Sequence, residues 1–477
     1  MERPIVIVGG GPSGLGAAYE LSRSGLPVLV LETLPQVGGL SRTMQRRGLR
    51  YDVGPHRFYT KSREVLRLWH DILQDKLLSV NRLTRIFHED TFFKYPLEIM
   101  DALSGLGALE SCRIVGSYLL AQWQQMWAPQ PIKNFEDWVV NQFGRRLFEI
   151  FFKVYSEKVW GIPCQSIGAE WAGQRIKGLN LYTAVWNVLV KHNQSRPRTL
   201  ADQFFYPRLG AGQFYEKLAA HVVASGGEVL VGHKSVALYH EQGRVRGVVA
   251  QDNQGHRLEI DAQAVISSAP LTETIQTLIP TAPPEILGHA AKLRFRGHIG
   301  VHLALERRLF PDQWIYVHSK ALRMARIADY CNFSPDMSTV PGCGGVTVEY
   351  FVFPGEGLWQ ASDADLLILA QQELGQCGQF SQKKIVDGFV VRHPHAYPLI
   401  ELGYASHLQI IQAYVDRIEG LQVIGRGGMF RYNNQDHALL SGLLAARNIL
   451  GPEVDIWNIN SDAEYLEEGQ AISIAKT

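Results

Sequence analysis

PIVIVGGGPSGLGAAYELSRSGLPVLVLET, residues 4–33, constrains the fold more tightly than any other stretch. The β-branched run Ile5 to Val8 reads as a buried strand, and Leu15, Ala18 and Leu21 recur at helical spacing behind it. Between them Gly9, Gly11 and Gly14 form GxGxxG, and a second apolar run ends in Glu32. Each glycine has a separate duty: the first permits the tight turn, the second lets backbone approach a pyrophosphate, and the third packs helix on strand. Pro12 and Ser13 open the helix, whose N-terminal N–H groups and dipole favour phosphate. Glu32 stands where a carboxylate accepts from ribose hydroxyls. The expected fold class is therefore α/β, with a Rossmann-type dinucleotide-binding domain.

One βαβ unit is too small for a sheet, so later segments are expected to return to it. Residues 60–200 read as amphipathic helices, as in NFEDWVVNQFGRRLFEIFFKVYSEKVWG. Strands resume over 205–290 and again in GHIGVHLAL and GVTVEYFVF. The expected organisation is discontinuous. Residues 1–85, 205–290 and 390–477 build the cofactor domain, the last ending in an acidic tail. Residues 86–204 form an inserted helical domain, and 291–389 an antiparallel-sheet substrate domain. A length of 477 residues suits two or three domains. The net charge of +1 gives no electrostatic case for nucleic acid. Five dispersed cysteines without CxxC spacing read as reduced thiols in a cytoplasmic protein, not as a metal site. No signal peptide or membrane-spanning run is expected. A homo-oligomer is left open.

NAD and FAD share the glycine fingerprint. The choice tips on VGGLSRT, residues 37–43, where Gly39, Leu40, Ser41 and Arg42 add a second glycine turn, donors and a cation. This arrangement resembles the FAD superfamily of amine oxidases, phytoene desaturases, protoporphyrinogen oxidase and UDP-galactopyranose mutase. The resemblance implies FAD. It also implies adenine-side contact at Val236 within GEVLVGHKSVAL, and flavin contact by the GRGG turn with Gly425 and Arg426 and by Asn434, Gln435 and Asp436.

Four further stretches resemble the UDP-galactopyranose mutases, especially the eukaryotic type: YDVGPHRFY (51–59), KVWGIPCQSIGAEWAGQRIKGLNL (158–181), RIADYCNFSP (326–335) and RYNNQDH (431–437). WIY (314–316) and HAYP (395–398) are shorter echoes. The resemblance implies a flavin-dependent isomerase. It would interconvert pyranose and furanose forms of a nucleoside-diphosphate sugar through a covalent sugar–flavin N5 intermediate, without net redox. NAD(P)H is a candidate external reductant. Arg175 and Arg326 match the arginines that hold the diphosphate, a role that suits the guanidinium fork. Tyr316, Tyr397 and Tyr432 match tyrosines that reach its oxygens. Tyr95 falls on the nucleotide side, Tyr155 is a further substrate-binding position, and Trp160 and Asn187 line the sugar pocket. His56 falls at the flavin edge, where a cationic or donor imidazole would stabilise charge on reduced flavin. Glu98 replaces a glutamine, Ser156 an asparagine and Phe333 a tyrosine, so base and sugar identity stay open. A conventional FAD-dependent oxidase, dehydrogenase or desaturase on an amine or apolar substrate accounts for the same cofactor module. A third alternative is FAD held as a scaffold without turnover.

Overall fold

The computed structural model describes residues 3–169, 203–377, 385–452 and 454–459. Arg175 and Asn187 lie outside them.

The opening strand, Ile5–Val8, sits at the centre of a five-stranded sheet, flanked by Ala264–Ser267 and Val28–Glu32. Leu421–Val423 and Glu228–Val231 form its edges, and every pairing is parallel. Both faces of such a sheet are covered, which is why its strands read as unbroken apolar runs. Three separated parts of the chain supply these strands, as expected for a domain that is left and re-entered. Helix Pro12–Arg23 packs on helix Gln435–Leu450 at a close crossing: a Cβ on Gly442 would stand 1.9 Å from the carbonyl oxygen of Ser13. A four-stranded sheet carries His233–Glu241, paired with Arg244–Asp252 and Leu278–Ile279.

The second large sheet has seven strands, in the order Ile385–Pro398, Phe295–Leu305, Gly344–Val352, Arg326–Asp329, Trp314–Val317, Thr84–His88, Thr91–Lys94. It is antiparallel except where Trp314–Val317 runs parallel to Thr84–His88. The boundaries expected at 85/86 and 389/390 therefore fall inside strands of this sheet. The substrate sheet borrows strands from both neighbouring segments. Helices Ala108–Trp127, Phe135–Phe143 and Val154–Trp160 cover one end, around a core of Phe135, Phe143, Phe148 and Trp160. The long amphipathic pattern is broken at Gly144, whose φ of +79° and close approach to the backbone of Tyr118 exclude a side chain.

Candidate active site

A cavity of about 460 Å³ runs from the crest of the parallel sheet to the face of the seven-stranded sheet. At the crest, Gly9 has φ +99°, and a Cβ on Gly14 would lie 1.9 Å from the Gly9 carbonyl oxygen. The turn therefore closes only with glycine at both places. Gly11 caps the helix Pro12–Arg23, with no side chain spent on the cap and no acid in the first turn. Its N-terminal N–H groups are thus presented to an anion. Gly39, at φ +53°, backs against Gly11; a Cβ there would meet the Gly11 Cα at 3.1 Å. Two glycines facing each other leave a cradle of bare backbone on the cavity wall.

Glu32 is buried beside it and accepts from the N–H of Gly10 at 2.7 Å and of Leu34 at 2.8 Å. Burial raises its pKa, while those amides and Arg42 pull the other way. Arg42 is itself buried. It donates to the Gly39 carbonyl at 2.9 Å and lies 3.3 Å from Nε2 of His393. Its charge stiffens the second glycine turn as well as facing the cavity. Pro12, Ser13, Leu40 and Ser41 also line the cavity, as do Asn434, Gln435 and Asp436 at the start of helix Gln435–Leu450. Gly425 stands just behind, at φ +73°, with its N–H bonded to Oγ of Ser441. Val236 lies elsewhere. It falls at a β-bulge in His233–Glu241, skipped between the pairs Ser235–Ala250 and Ala237–Val249, and is not part of the cavity lining.

Strand register assembles the opposite wall. Tyr316 pairs directly with Arg326, and Arg326 with Glu349. Opposite charges facing each other across two strands form a bidentate ion pair, Nε to Oε1 at 2.8 Å and Nη2 to Oε2 at 2.5 Å. His298 completes it, with Nε2 3.0 Å from the same Oε2. Glu349 is fully buried. Burial alone would raise its pKa, but Arg326 and His298 outweigh that and hold it down at about 2. Nothing in the family motifs pointed to Glu349 or His298. The available signal was a lone carboxylate in the apolar run GVTVEYFVF, and histidines four apart, hence on one face, in GHIGVHLAL.

His56 follows Gly54, whose Cα side faces Arg326 and Glu349: a Cβ there would sit 3.4 Å from Nη2 of Arg326. Burial, then Arg426 and Arg326, depress the His56 pKa to about 3. Of the cationic and donor imidazoles expected at this position, the neutral form is favoured, because a dry wall and then two guanidiniums oppose the charge. The donor role stands open, since among the described residues Nδ1 has no hydrogen-bond partner.

Tyr397 and Tyr432 stack, with ring centroids 5.4 Å apart. Trp160 meets both edge-on at 6.3 Å. Arg426 lies over both tyrosine faces, 5.1 and 4.8 Å from their centroids, and is anchored through Nε to the Asn433 carbonyl and through Nη1 to that of Ala396. Its guanidinium thus joins the aromatic chamber. Tyr316 meets Tyr95 at 4.7 Å and Tyr155 at 5.3 Å, and Tyr155 stacks on His318 at 4.9 Å. Of the three departures, Phe333 is buried and stacked on Trp314, and Ser156 is buried. Glu98 heads the short helix Ile99–Leu106 and pairs with Lys94 at 3.2 Å.

These residues fit a flavin dinucleotide. The helix N-terminus and the glycine cradle suit the pyrophosphate, and Nδ1 of His56 and Oδ1 of Asn433 are buried polar atoms without partners among the described residues. The described residues contain no cluster able to hold a metal ion and no helix long and apolar enough to cross a membrane.

A solved structure of reduced UDP-galactopyranose mutase superposes with a TM-score of 0.82 at 20% identity, covering 96% of each chain. A putative protoporphyrinogen oxidase from Exiguobacterium sp. 255-15 gives 0.72 at 18% identity, over 94% of this chain and 99% of the other. These similarities establish the fold, a Rossmann-type module joined to a substrate domain. In sequence, the chain is 37% identical to bovine flavin-containing amine oxidase B over 93 residues, which is 19% of this chain and only 18% of that protein. A probable UDP-galactopyranose mutase of Klebsiella pneumoniae is 27% identical over 174 residues, 35% of this chain and 44% of that protein. The family model for flavin-containing amine oxidoreductases matches residues 12–450. The chain belongs to that family.

Proposed function

We propose that the protein is a flavin-dependent nucleotide-sugar mutase, with FAD as its flavin, that interconverts pyranose and furanose forms without net redox. The observation that carries this reading is the convergence of Arg326, Arg426, Tyr316, Tyr397 and Tyr432 on one cavity that begins at the glycine cradle, with Trp160 packed behind the two stacked tyrosines. The chemistry that reduced flavin supplies when bound is a nucleophilic electron pair for the anomeric carbon. The chain's own part is to hold and release the diphosphate. Glu349 takes Nε and Nη2 of Arg326, so the diphosphate is offered Nη1 and the positive charge of Arg426. Hydroxyls of Tyr316, Tyr397 and Tyr432 donate to its oxygens, and Trp160 with the stacked tyrosines excludes water. Neutral His56 holds a proton or a lone pair at Nδ1 for the flavin edge. Arg175 and Asn187 are assigned to diphosphate and sugar on resemblance alone.

The family's description favours a second reading, oxidation of an amine. Against it, the faces of Tyr397 and Tyr432 that would attract an ammonium are already covered by Arg426. The test is calorimetric titration of dithionite-reduced, FAD-loaded protein with UDP, GDP, dTDP and CDP. At least one is expected to bind, and Arg326→Ala and Arg426→Ala should each weaken it roughly 10- to 100-fold, as for charge-assisted hydrogen bonds. No binding across the panel, or affinity unchanged in both variants, overturns the reading.

A further inference from the structure

Helix Ala108–Trp127 is twenty residues long, yet it buries only Ile114 and Ala121. Its outward face carries Leu109 (70% exposed), Leu119 (60%), Leu120 (55%), Trp123 (59%), Met126 (75%) and Trp127 (71%). Those six side chains expose on the order of 800 Å², the area one partner contributes to a standard interface. Residues 114–132 contain no Asp, Glu, Lys or Arg. A contiguous apolar surface of this size marks an interaction site.

The spacing on that face names its occupant. Leu109, Cys112, Gly116, Leu119, Trp123 and Met126 follow one another at alternating steps of three and four, the seam of a helix that pairs with another helix. Cys112 is exposed, and a Cβ on Gly116 would meet nothing within 4 Å. The seam is also self-complementary about its midpoint. When two copies run antiparallel, Leu109 opposes Met126, Cys112 opposes Trp123, and Gly116 opposes Leu119. Small residues of each copy then receive large ones of the other, which is the isologous arrangement a two-fold axis requires. Charge selects the same direction. Parallel pairing would set the exposed Arg113 against its own mate, whereas antiparallel pairing separates the two by nine residues, about 14 Å, beyond the ~8 Å screening length of physiological salt. Glu110 stays within its own chain, bound to Arg146 and Arg113.

We infer that this face is a homodimer interface, in which helix Ala108–Trp127 packs antiparallel on the same helix of a second copy. A notched seam of alternating small and bulky residues fits such a partner.

Light scattering on the flavin-loaded full chain is expected to give twice the chain mass. Leu119→Glu combined with Trp123→Glu should return the monomer with its flavin content unchanged, since both side chains face outward, and with a melting temperature that no longer depends on protein concentration. Register is read by Trp123→Cys, which places the introduced thiol opposite Cys112. Diamide, accepting two electrons and two protons per bond, should convert this variant to a covalent dimer, while Met126→Cys, opposite Leu109, stays non-covalent. A wild type that is monomeric at all concentrations overturns the inference. So does a dimer that persists in the double-glutamate variant, or a covalent dimer from Met126→Cys but not from Trp123→Cys. A monomer that instead floats with anionic phospholipid vesicles assigns the face to lipid and also overturns it.

Discussion

The two ends of the cavity are built by different physics. At the glycine crest the working parts are backbone: the turn closes only with glycine, because a Cβ at Gly14 would strike the Gly9 carbonyl at 1.9 Å, and everything needed lies between Gly9 and Arg42. At the aromatic chamber the working parts are side chains from distant segments, such as Trp160, Arg326, Tyr397 and Tyr432, held by strand register and by a buried ion pair. The first end tolerates almost no substitution, because backbone cannot move aside. The second can lose a side chain and still fold, at a cost set by what is left unpaired.

Gly14→Val should give the largest effect. The added side chain drives into main-chain oxygen, so the variant is expected to be insoluble or to purify without flavin; a soluble variant with a full flavin spectrum would break the backbone account of the crest. Glu349→Ala comes next. It strands a buried guanidinium, for which about 3–5 kcal/mol of destabilisation is expected. Urea unfolding measures this, and a change under about 1 kcal/mol, the size of a surface pair, would show that the ion pair does not hold the chamber. Smaller still is the pH effect. Burial first, with neighbouring cations, depresses the pKa of His56 and His302 to about 3 and puts His318 and His393 well below the ordinary 6.5. The unfolded chain therefore binds protons that the folded chain refuses, and this stability is present above pH 6.5 and lost as pH falls below it. Asp52 and Asp329, pushed up to about 7 by burial, act oppositely: their contribution is present at low pH and lost as pH rises through 7. With His88, His395 and His437 also lowered, and Glu32 and Glu216 also raised, the depressed imidazoles still outnumber the raised carboxylates and predict a melting temperature that falls on acidification from pH 6.5 to 4.5. A rise over that interval would contradict the dry chamber wall.

The same contrast explains what could be read from residues alone. The strand, the glycine turn, the helix and Glu32 were legible because each signal is local. Arg326, Tyr316, Tyr397 and Tyr432 were found through motif order, and they do meet in one cavity. Glu349 went unread because its partner is 23 residues away and only register brings the two opposite. The choice between a cationic and a donor His56 stayed open for a related reason: its charge state depends on burial and then on Arg426 and Arg326, which no spacing connects to it. The expected role of Arg426 at the flavin took no account of the two tyrosines beneath it. Helix Ala108–Trp127 lies in the stretch read as amphipathic helices, with core and interface left open, and its apolar side faces outward. Periodicity reports a face without saying what covers it.

The account stands on one claim, that flavin and diphosphate recognition share a cavity for isomerisation without net redox. The direct measurement is chromatographic separation of pyranose and furanose forms after incubating a nucleotide sugar with dithionite-reduced and with oxidised protein. The account predicts interconversion by the reduced protein alone, with the flavin still reduced at the end. Absence of isomer from reduced protein across the nucleotide-sugar panel, together with flavin reduction by an amine, would contradict it.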